Sequence, residues 1–253
     1  MTSITKDKLK KPLSVLAAVL FWLAVWYLLS LCVGSELLLP SPVKVVKRLC
    51  LLGATSEFWK ITLSSVLRIA LGFIGGVLAG TVFAVIGASS RHLDAILSPL
   101  GTVVRATPVA SFIILALVWI KADKVPSFIA FLMVTPIVWG ALKAEITSTD
   151  RKLLEAARVY RLSFFGTVKA VYLPHVLPGF TASVITSLGL SWKAGIAAEV
   201  LCTPDGAVGT MLYDSKVYLE TVDLFAWTLT VIILSVIMEA VFKSLLRRVG
   251  GTK

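Results

Sequence analysis

Few side chains of this chain could do chemistry inside its apolar segments, and those few are charged. Arg105, Lys193 and Glu199 lie in or beside long apolar runs. A Lys or Arg at the centre of a membrane costs about 2.5–3.5 kcal/mol on insertion scales, so it usually faces protein or water. We expect Lys193 either to face a solute path and favour an anion or to pair with another helix. Arg105 is expected either to attract an anion or to extend its head group toward the membrane interface.

Pro108 and Trp192 are further candidates for lining the solute path. Pro108 can break its helix where a cavity satisfies the freed carbonyl groups, although a bend here also suits plain packing. Trp192 directly precedes Lys193, and Glu199 follows Lys193 by six residues. That spacing is not the i,i+4 spacing of a direct helical pair, so no salt bridge between Lys193 and Glu199 is predicted. Arg68 is given no role.

Catalytic and metal-binding residues are not expected. The three cysteines have no metal-ligand spacing and the two histidines, His92 and His175, are isolated, so we expect neither a disulfide framework nor a metal. The phosphate-binding pattern G-x-x-x-x-G-K-[ST] is missing from the sequence, so we expect this chain to bind no nucleotide itself.

The composition indicates a membrane protein. Hydrophobic residues make up 57% of the 253 residues and charged residues only 15%, against about 25% charged in soluble domains. The net charge of +11 does not indicate nucleic-acid binding, because the basic residues lie between apolar runs and not on a soluble face. We predict an all-α membrane bundle, folded as one domain over residues 1–253.

Six transmembrane helices are predicted, since a hydrocarbon core of about 30 Å needs roughly 20 apolar residues per helix. They cover residues 13–33, 62–88, 98–120, 125–146, 178–200 and 222–242. The first resembles a signal peptide but is longer and lacks an A-x-A site, so we expect it to remain. The loops on the side of the N-terminus carry about twice as many Lys and Arg as the opposite loops. Both termini and the 147–177 loop are therefore predicted to be cytoplasmic.

Two smaller features accompany these spans. Gly72, Gly76 and Gly80 recur every four residues, followed by Ala84 and Ala88, which indicates close helix packing, either within the bundle or at a dimer face. After the first span, "LLLPSPVKVVKRL" predicts a short amphipathic helix lying at the outer interface.

The 147–177 loop is the most basic loop of the chain. Thr149 or Asp150 can cap a helix starting near Arg151, and this helix is too short and too charged to cross a bilayer. Its apolar residues recur at three- to four-residue spacing and form one stripe: Leu153, Leu154, Ala157 and Tyr160. The helix is either a solvated surface helix or a docking helix for a soluble partner. Pro174 and Pro178 are expected to end this loop segment, and Pro178 to begin the fifth span.

This loop resembles a known family motif. Glu155-Ala156-Ala157 and Val171-Tyr172-Leu173-Pro174 resemble the EAA motif of binding-protein-dependent ABC transporter permeases: EAA, three residues, Gly, nine residues, I-x-L-P. Arg161 occupies the glycine position and Val171 the isoleucine position. We therefore expect the helix to run on past residue 161, or the turn to use other residues, with Gly166 able to supply flexibility. "LLLPSPVKV", "SPLGTVVRATPVASFIILALVW" and "SLGLSWKAGIAAEVL" resemble segments of the nitrate, sulfonate and taurine branch.

The resemblance implies a permease of the type I ABC importer kind, with six transmembrane helices and a cytoplasmic coupling helix in the bacterial inner membrane. It implies a dimer of membrane subunits, formed with a second copy or a sister permease. It also implies two ATPase subunits that bind ATP and Mg, and an extracytoplasmic solute-binding protein. On this view the chain is a transport subunit and not an enzyme. The solute would be a small anion such as a sulfonate, taurine or nitrate, although similar permeases also serve bicarbonate and the precursors of thiamine or riboflavin.

The same resemblance gives the loop residues a role in docking the ATPase. Ala156 and Ala157 would allow close backbone approach, and Glu155 and Arg158 would pair with charges across the interface. The complete set of expected coupling residues is Leu153, Leu154, Glu155, Ala156, Ala157, Arg158, Tyr160, Arg161, Val171, Leu173 and Pro174.

Three other functions remain open from sequence. An ATP-independent secondary transporter or channel is disfavoured because no inverted repeat is evident, and co-purification with an ATPase would separate it from an ABC permease. A membrane enzyme would need a catalytic constellation within the spans. An inert assembly subunit would show no solute-uptake defect on deletion.

Overall fold

A computed structural model describes residues 3–249, with the side chains of residues 16–245. The N-terminal lysines Lys6, Lys8, Lys10 and Lys11, on which the predicted orientation partly depends, have side chains outside the described part, as do Arg247, Arg248 and Lys253. Every described element is a helix, which confirms the all-α prediction. The helices are α1 Ser3–Val33, α2 Pro42–Gly53, α3 Ser56–Ser89, α4 Arg91–Ala106, α5 Val109–Trp119, α6 Val125–Thr147, α7 Arg151–Val159, α8 Phe164–Thr167, a π-helical turn Val168–Tyr172, α9 Leu173–Cys202, α10 Val208–Val217 and α11 Thr221–Val249.

Five helical segments are long and apolar enough to cross a membrane. They are Leu16–Val33, Ser56–Ser89, Val125–Thr147, Phe164–Cys202 and Thr221–Leu245. The bent pair α4 and α5 makes a sixth if it counts as one span. These segments cover the predicted first, second, fourth, fifth and sixth spans, because a single apolar run of this length can satisfy its own backbone in lipid only as a helix.

The predicted third span, residues 98–120, differs from the structure. It is divided between α4 and α5, whose axes are bent by 108° at the break. Thr107 and Pro108 are both extended there, with ψ angles of 133° and 134°. Proline disfavours the helical conformation of the residue before it and has no N–H to continue the helix. Pro108 therefore makes the break, whereas Pro99 lies inside α4 without ending it.

The beginning of the predicted fifth span was wrong. α9 begins at Leu173 and not at Pro178, which lies inside the helix, while Pro174 lies in the first turn. The apolar helical run continues back to Phe164 without a break. Immediately before Pro174, the Leu173 N–H bonds to the Val168 carbonyl five residues earlier. This widened turn makes room near a proline ring that would otherwise clash with the carbonyl four residues before it.

The chain divides into two compact units, and the prediction of a single domain over residues 1–253 stays a prediction. The first unit comprises Met1–Trp59 and Met211–Thr230. In it, Arg48 donates to Asp223 through Nε at 2.6 Å and Nη2 at 2.7 Å. This hydrogen-bonded carboxylate raises the pKa of Arg48.

The predicted short helix after the prolines is present as α2, and its location at the outer interface stays a prediction.

The second unit comprises Lys60–Thr210 and Val231–Lys253, and small residues bring its helices close together. The glycine ridge of α3 lies against α6 of the same chain. A Cβ at Gly76 would lie 2.7 Å from Val134 Cβ, and a Cβ at Gly80 would lie 2.8 Å from the Thr135 carbonyl oxygen. Gly72 likewise faces the backbone of Ser127. The structure therefore uses this ridge for packing inside the bundle.

Candidate coupling helix and solute path

The start of α7 is set by one side chain. The Lys152 N–H donates to Asp150 Oδ1 at 2.9 Å, so Asp150 is the cap. Thr149, the other candidate, donates its hydroxyl to the Glu145 carbonyl at 3.3 Å instead. An Asp at this position satisfies an N–H that has no partner within the helix. α7 begins at Arg151, where the sequence predicted it.

The end of α7 is a sharp turn at Arg161. Arg161 has a φ of 52°, in the left-handed region. Its N–H donates to the Arg158 carbonyl at 2.9 Å, and the Leu162 N–H donates to the Ala157 carbonyl at 3.0 Å. Both bonds together form a Schellman motif, which usually has glycine at this position. The expectation that the helix runs on or turns elsewhere was wrong, because these two bonds hold the arginine in a conformation that costs roughly 1–2 kcal/mol without glycine.

Gly166 does not make this turn. It lies in α8, and its N–H donates to the Ser163 hydroxyl at 3.1 Å. The change of direction after α7 is thus completed at Arg161, and the chain re-enters a helix within three residues because Ser163 caps α8.

The predicted coupling residues differ in their exposure. Ala157 is buried and Leu154 is partly buried, while Leu153 and Tyr160 are exposed. Four more predicted residues are also exposed: Glu155, Ala156, Arg158 and Arg161. The apolar stripe therefore does not form one buried face. Part of it packs inward and part stays available. Of the distal motif residues, Val171 is partly buried, whereas Leu173 and Pro174 are exposed.

Apart from Tyr160, sequence reasoning missed the residues of an apolar surface directly beyond the EAA residues. Val159 is 80% exposed and Phe165 is 81% exposed. We call the exposed set at the end of α7 and the start of α8 the apolar tip: Val159, Tyr160, Leu162, Phe164 and Phe165. Contiguous exposed apolar side chains mark interaction surfaces. The signal available in the sequence was a pair of phenylalanines directly after a capping serine, in an otherwise basic loop.

The base of the 147–177 segment is tied to both α6 and α9. Glu145, near the end of α6, lies so close to Gly179 of α9 that a Cβ there would overlap its carboxylate. His175 Nε2 lies 3.2 Å from the Ser148 hydroxyl and 3.9 Å from Glu145 Oε2. These close contacts join the C-terminal end of α6 to the N-terminal part of α9 at the base of the segment.

Glu199, a predicted path residue, is fully buried, and its carboxylate accepts three hydrogen bonds. Its carboxylate accepts from Arg68 Nη1 at 2.8 Å, the Ser65 hydroxyl at 2.8 Å and the Gly209 N–H at 3.1 Å. Its exposed fraction is 0%. Arg68, which has no predicted role, lies 131 residues before Glu199 in the chain. The pair joins α3 to α9 and to the start of α10, so the structure gives this carboxylate a packing role.

Lys193 and Trp192 point to opposite environments. Trp192 is buried and donates its indole N–H to the Val231 carbonyl at 3.1 Å. Lys193 is exposed, and none of the ion pairs within residues 16–245 includes it. It belongs to a stripe of exposed positions along α9: Ala182, Thr186, Leu190, Lys193, Ala197 and Leu201. Lys193 thus lies on the face of α9 that turns away from the core of its unit.

Arg105 and Pro108 lie at the α4–α5 break. Arg105 borders a cavity of about 300 Å³ between α4 and α6. Pro108 is exposed at the break itself. No hydrogen bond or ion pair of the described side chains joins Arg105, Lys193 or Glu199 to one another, so these predicted path residues form no single cluster within this chain.

Long apolar helices with a short exposed helix held between two of them define a polytopic membrane protein. A family model, "Binding-protein-dependent transport system inner membrane component", matches residues 76–251. The chain belongs to this family, which confirms the resemblance drawn from the EAA residues. It is a transport permease, and ABC importers of this kind work in general with an ATPase and a binding protein.

Known relatives belong to the nitrate, sulfonate and taurine branch. The putative aliphatic sulfonates transport permease SsuC of Escherichia coli K12 is 31% identical, covering 78% of this chain and 76% of its own. The taurine transport permease TauC of the same organism is 24% identical over 88% and 83%. The nitrate import permease NrtB of Synechococcus elongatus is 27% identical over 84% and 79%.

Solved transporters share the fold. An amino acid ABC transporter aligns with a TM-score of 0.56 at 18% identity, covering 77% of this chain and 92% of that chain. A bacterial ABC transporter involved in import of the acidic polysaccharide alginate aligns with a TM-score of 0.57 at 14% identity, covering 97% of both chains. These similarities confirm the predicted type of helical permease.

Proposed function

We propose that this chain is the permease of an ATP-driven importer for a small organic or inorganic anion such as a sulfonate, taurine or nitrate. An extracytoplasmic binding protein delivers the solute, and a second permease, identical or a sister chain, completes the path. ATP and Mg bind to separate ATPase subunits. Both termini and the 147–177 segment lie in the cytoplasm of a bacterial cell.

The observation that carries the proposal is the segment from α7 to α8. It presents the apolar tip outward while its base is held by Glu145, Gly179 and His175 against two long helices. An exposed apolar surface fits docking into a cleft of a soluble partner, and a tied base transmits force. Of the two alternatives for this helix, docking is therefore favoured over a solvated surface helix.

The anionic solute class is supported by two independent facts. Relatives are named for aliphatic sulfonates, taurine and nitrate. In addition, Lys193 lies exposed on α9, where it is the only Lys, Arg, Asp or Glu among the exposed residues of this helix. A lysine within a span that turns away from its own core faces a partner subunit or water. A path between two permeases provides both, and its positive charge attracts anions.

The docking role is tested by removing the apolar tip. We expect Phe164→Ser with Phe165→Ser to reduce the amount of ATPase that co-purifies with the permease by tenfold or more, since interface anchors contribute about 2 kcal/mol or more each. The measurement is affinity purification of the co-expressed transporter, quantified by subunit ratio. Tyr218→Ser is the matched control, because Tyr218 is 72% exposed, close to the 77% of Phe164, but lies on the turn before α11.

Several outcomes would contradict the proposal. Equal loss of ATPase from the Tyr218→Ser control would show a general folding defect and not a docking site. Solute uptake into vesicles that contain the permease without any ATPase would favour the secondary transporter or channel. ATP hydrolysis by the purified chain alone would place the nucleotide site in this polypeptide.

A further inference from the structure

A cavity between α4 and α6 has no part in the docking proposal. Its volume is about 300 Å³, at the lower end of the range for small-molecule sites. Its α6 wall extends from Pro136 to Thr147, about 16 Å along the helix at 1.5 Å per residue. Thr147 is the last residue of α6, three residues before the Asp150 cap of α7. The cavity therefore ends beside the base of the coupling segment.

The cavity wall is positively charged. Arg105 and Lys143 border it, and no Asp or Glu is among the described residues that do so. Lys143 forms an ion pair with Asp94, which lies outside the wall. Arg105 Nε donates to the Gly101 carbonyl of its own helix at 3.1 Å. Its two Nη groups make no hydrogen bond within residues 16–245, so most of the donors of this guanidinium remain available.

The surroundings of Arg105 leave room for a ligand. A Cβ at Gly140 would lie 3.4 Å from Arg105 Nη1, so the missing side chain keeps this part of the wall open beside the guanidinium. Ser98 also borders the cavity, and its hydroxyl makes no hydrogen bond among the described side chains. The ring of Trp139, which packs closely against Gly101, adds an apolar wall.

We propose that this cavity binds an oxyanion group, a sulfonate or a phosphate, held by Arg105 with help from the Ser98 hydroxyl. A planar guanidinium with free N–H groups binds two oxygens of such a group at once, which a lysine ammonium does not. Lys143 is ion-paired with Asp94, so the net positive charge of the wall comes from Arg105. The proposal goes beyond the proposed function, because it concerns oxyanion binding in this cavity and does not depend on which solute the transporter imports.

Two sources could supply the oxyanion. One is a free solute anion inside the cavity. The other is an anionic lipid headgroup, since α4 also presents an exposed apolar stripe, Leu93, Ile96, Leu100 and Val103, and basic pockets between membrane helices bind such headgroups. The chemistry at Arg105 is the same in both cases, and the experiment separates them.

The test uses the full chain in nanodiscs. In phosphatidylcholine discs, ethanesulfonate and inorganic phosphate are titrated at constant ionic strength, and the midpoint of thermal unfolding is followed. In a second arm, discs containing phosphatidylglycerol are used, and retained lipid is counted by native mass spectrometry. Arg105→Gln and the cavity-filling Gly140→Leu are compared with Arg91→Gln, a matched control that removes an exposed arginine from the same helix.

We expect at least one probe to bind the wild-type chain and to bind both cavity variants about tenfold more weakly, with Arg91→Gln unchanged. Arg105→Lys, which keeps the charge, should still lose several-fold in affinity. Selective binding of ethanesulfonate or phosphate supports a free solute, and selective retention of phosphatidylglycerol supports a lipid. The proposal is overturned if no probe binds, or if Arg105→Gln binds the probes as the wild type does. Arg105→Gln keeps this conclusion independent of any folding defect in Gly140→Leu.

Discussion

At the scale of single residues, specific hydrogen bonds hold two residues in unfavourable positions. Arg161 takes a glycine's place at the end of α7, and two backbone hydrogen bonds keep it there. Glu199 is buried, and three donors satisfy it. In both cases the cost of an unfavourable residue is offset by specific partners, and each case yields a prediction.

Arg161→Gly should strengthen the turn after α7. Glycine removes the left-handed penalty of roughly 1–2 kcal/mol but adds about 0.5–1 kcal/mol of unfolded-state entropy, leaving a gain on the order of 0.5–1 kcal/mol. The amide of Leu162, which closes the Schellman motif, should then exchange with deuterium about two- to fivefold more slowly. Arg161→Val should exchange faster, because a β-branched residue fits the left-handed region poorly. Identical exchange in all three chains would argue against strain at this position.

Glu199→Leu should destabilise the permease strongly, because it leaves Arg68 without its partner in a nearly buried site. Removing one member of a buried pair costs about 3–5 kcal/mol. The double variant Arg68→Met with Glu199→Leu should recover much of this loss, since no buried charge remains. The midpoint of thermal unfolding in detergent measures both. A double variant that is less stable than the single one would contradict a mutual pairing.

At the scale of elements, glycines as well as apolar side chains allow the helices to pack closely. Gly76 and Gly80 face α6 at distances that no Cβ could occupy without displacement. The adjacent Gly75 differs, because a Cβ there would lie at an ordinary 3.5 Å from Phe131. The same helix therefore has one glycine needed for packing directly beside one that is not.

Gly75→Ala and Gly76→Ala form a matched pair of variants. Alanine favours a helix by about 1 kcal/mol over glycine, so Gly75→Ala should leave the unfolding midpoint equal or raise it. Gly76→Ala forces α3 and α6 apart, and overpacking of this kind costs about 1–3 kcal/mol, so its midpoint should fall. The comparison is made in one detergent with equal protein concentrations. If both variants shift the midpoint alike, the close approach at Gly76 does not limit packing.

At the scale of the whole molecule, the segment that we propose to dock the ATPase lies between α6 and α9, and an exposed lysine lies further along α9. Contacts at the base of the 147–177 segment reach α9 through His175 and Gly179. The same helix continues to Lys193. A single helix, α9, thus links the surface that we assign to the ATPase with the face that we assign to the solute path.

Lys193→Gln should lower the import of an anionic solute about tenfold or more, because one positive charge is removed from a path of low dielectric constant. The measurement is ATP-dependent uptake of radiolabelled taurine or nitrate by proteoliposomes of the assembled transporter. The unfolding midpoint should stay unchanged, since Lys193 is exposed and has no described ion-pair partner. Lys216→Gln controls for overall charge. Normal uptake by Lys193→Gln would remove this residue from the path.

The sequence by itself determined the approximate position of most long helices, the membrane class and the start of α7. Apolar runs and the Asp150 cap act over a few residues along the chain, so spacing alone reveals them. The bond of Arg68 to Glu199, the 108° break at Pro108 and the cavity beside Arg105 were decided only by tertiary structure. Each depends on which residues, distant in sequence, pack against one another. Even the turn at Arg161 needed the structure, because local preference opposes it and two specific backbone hydrogen bonds hold it.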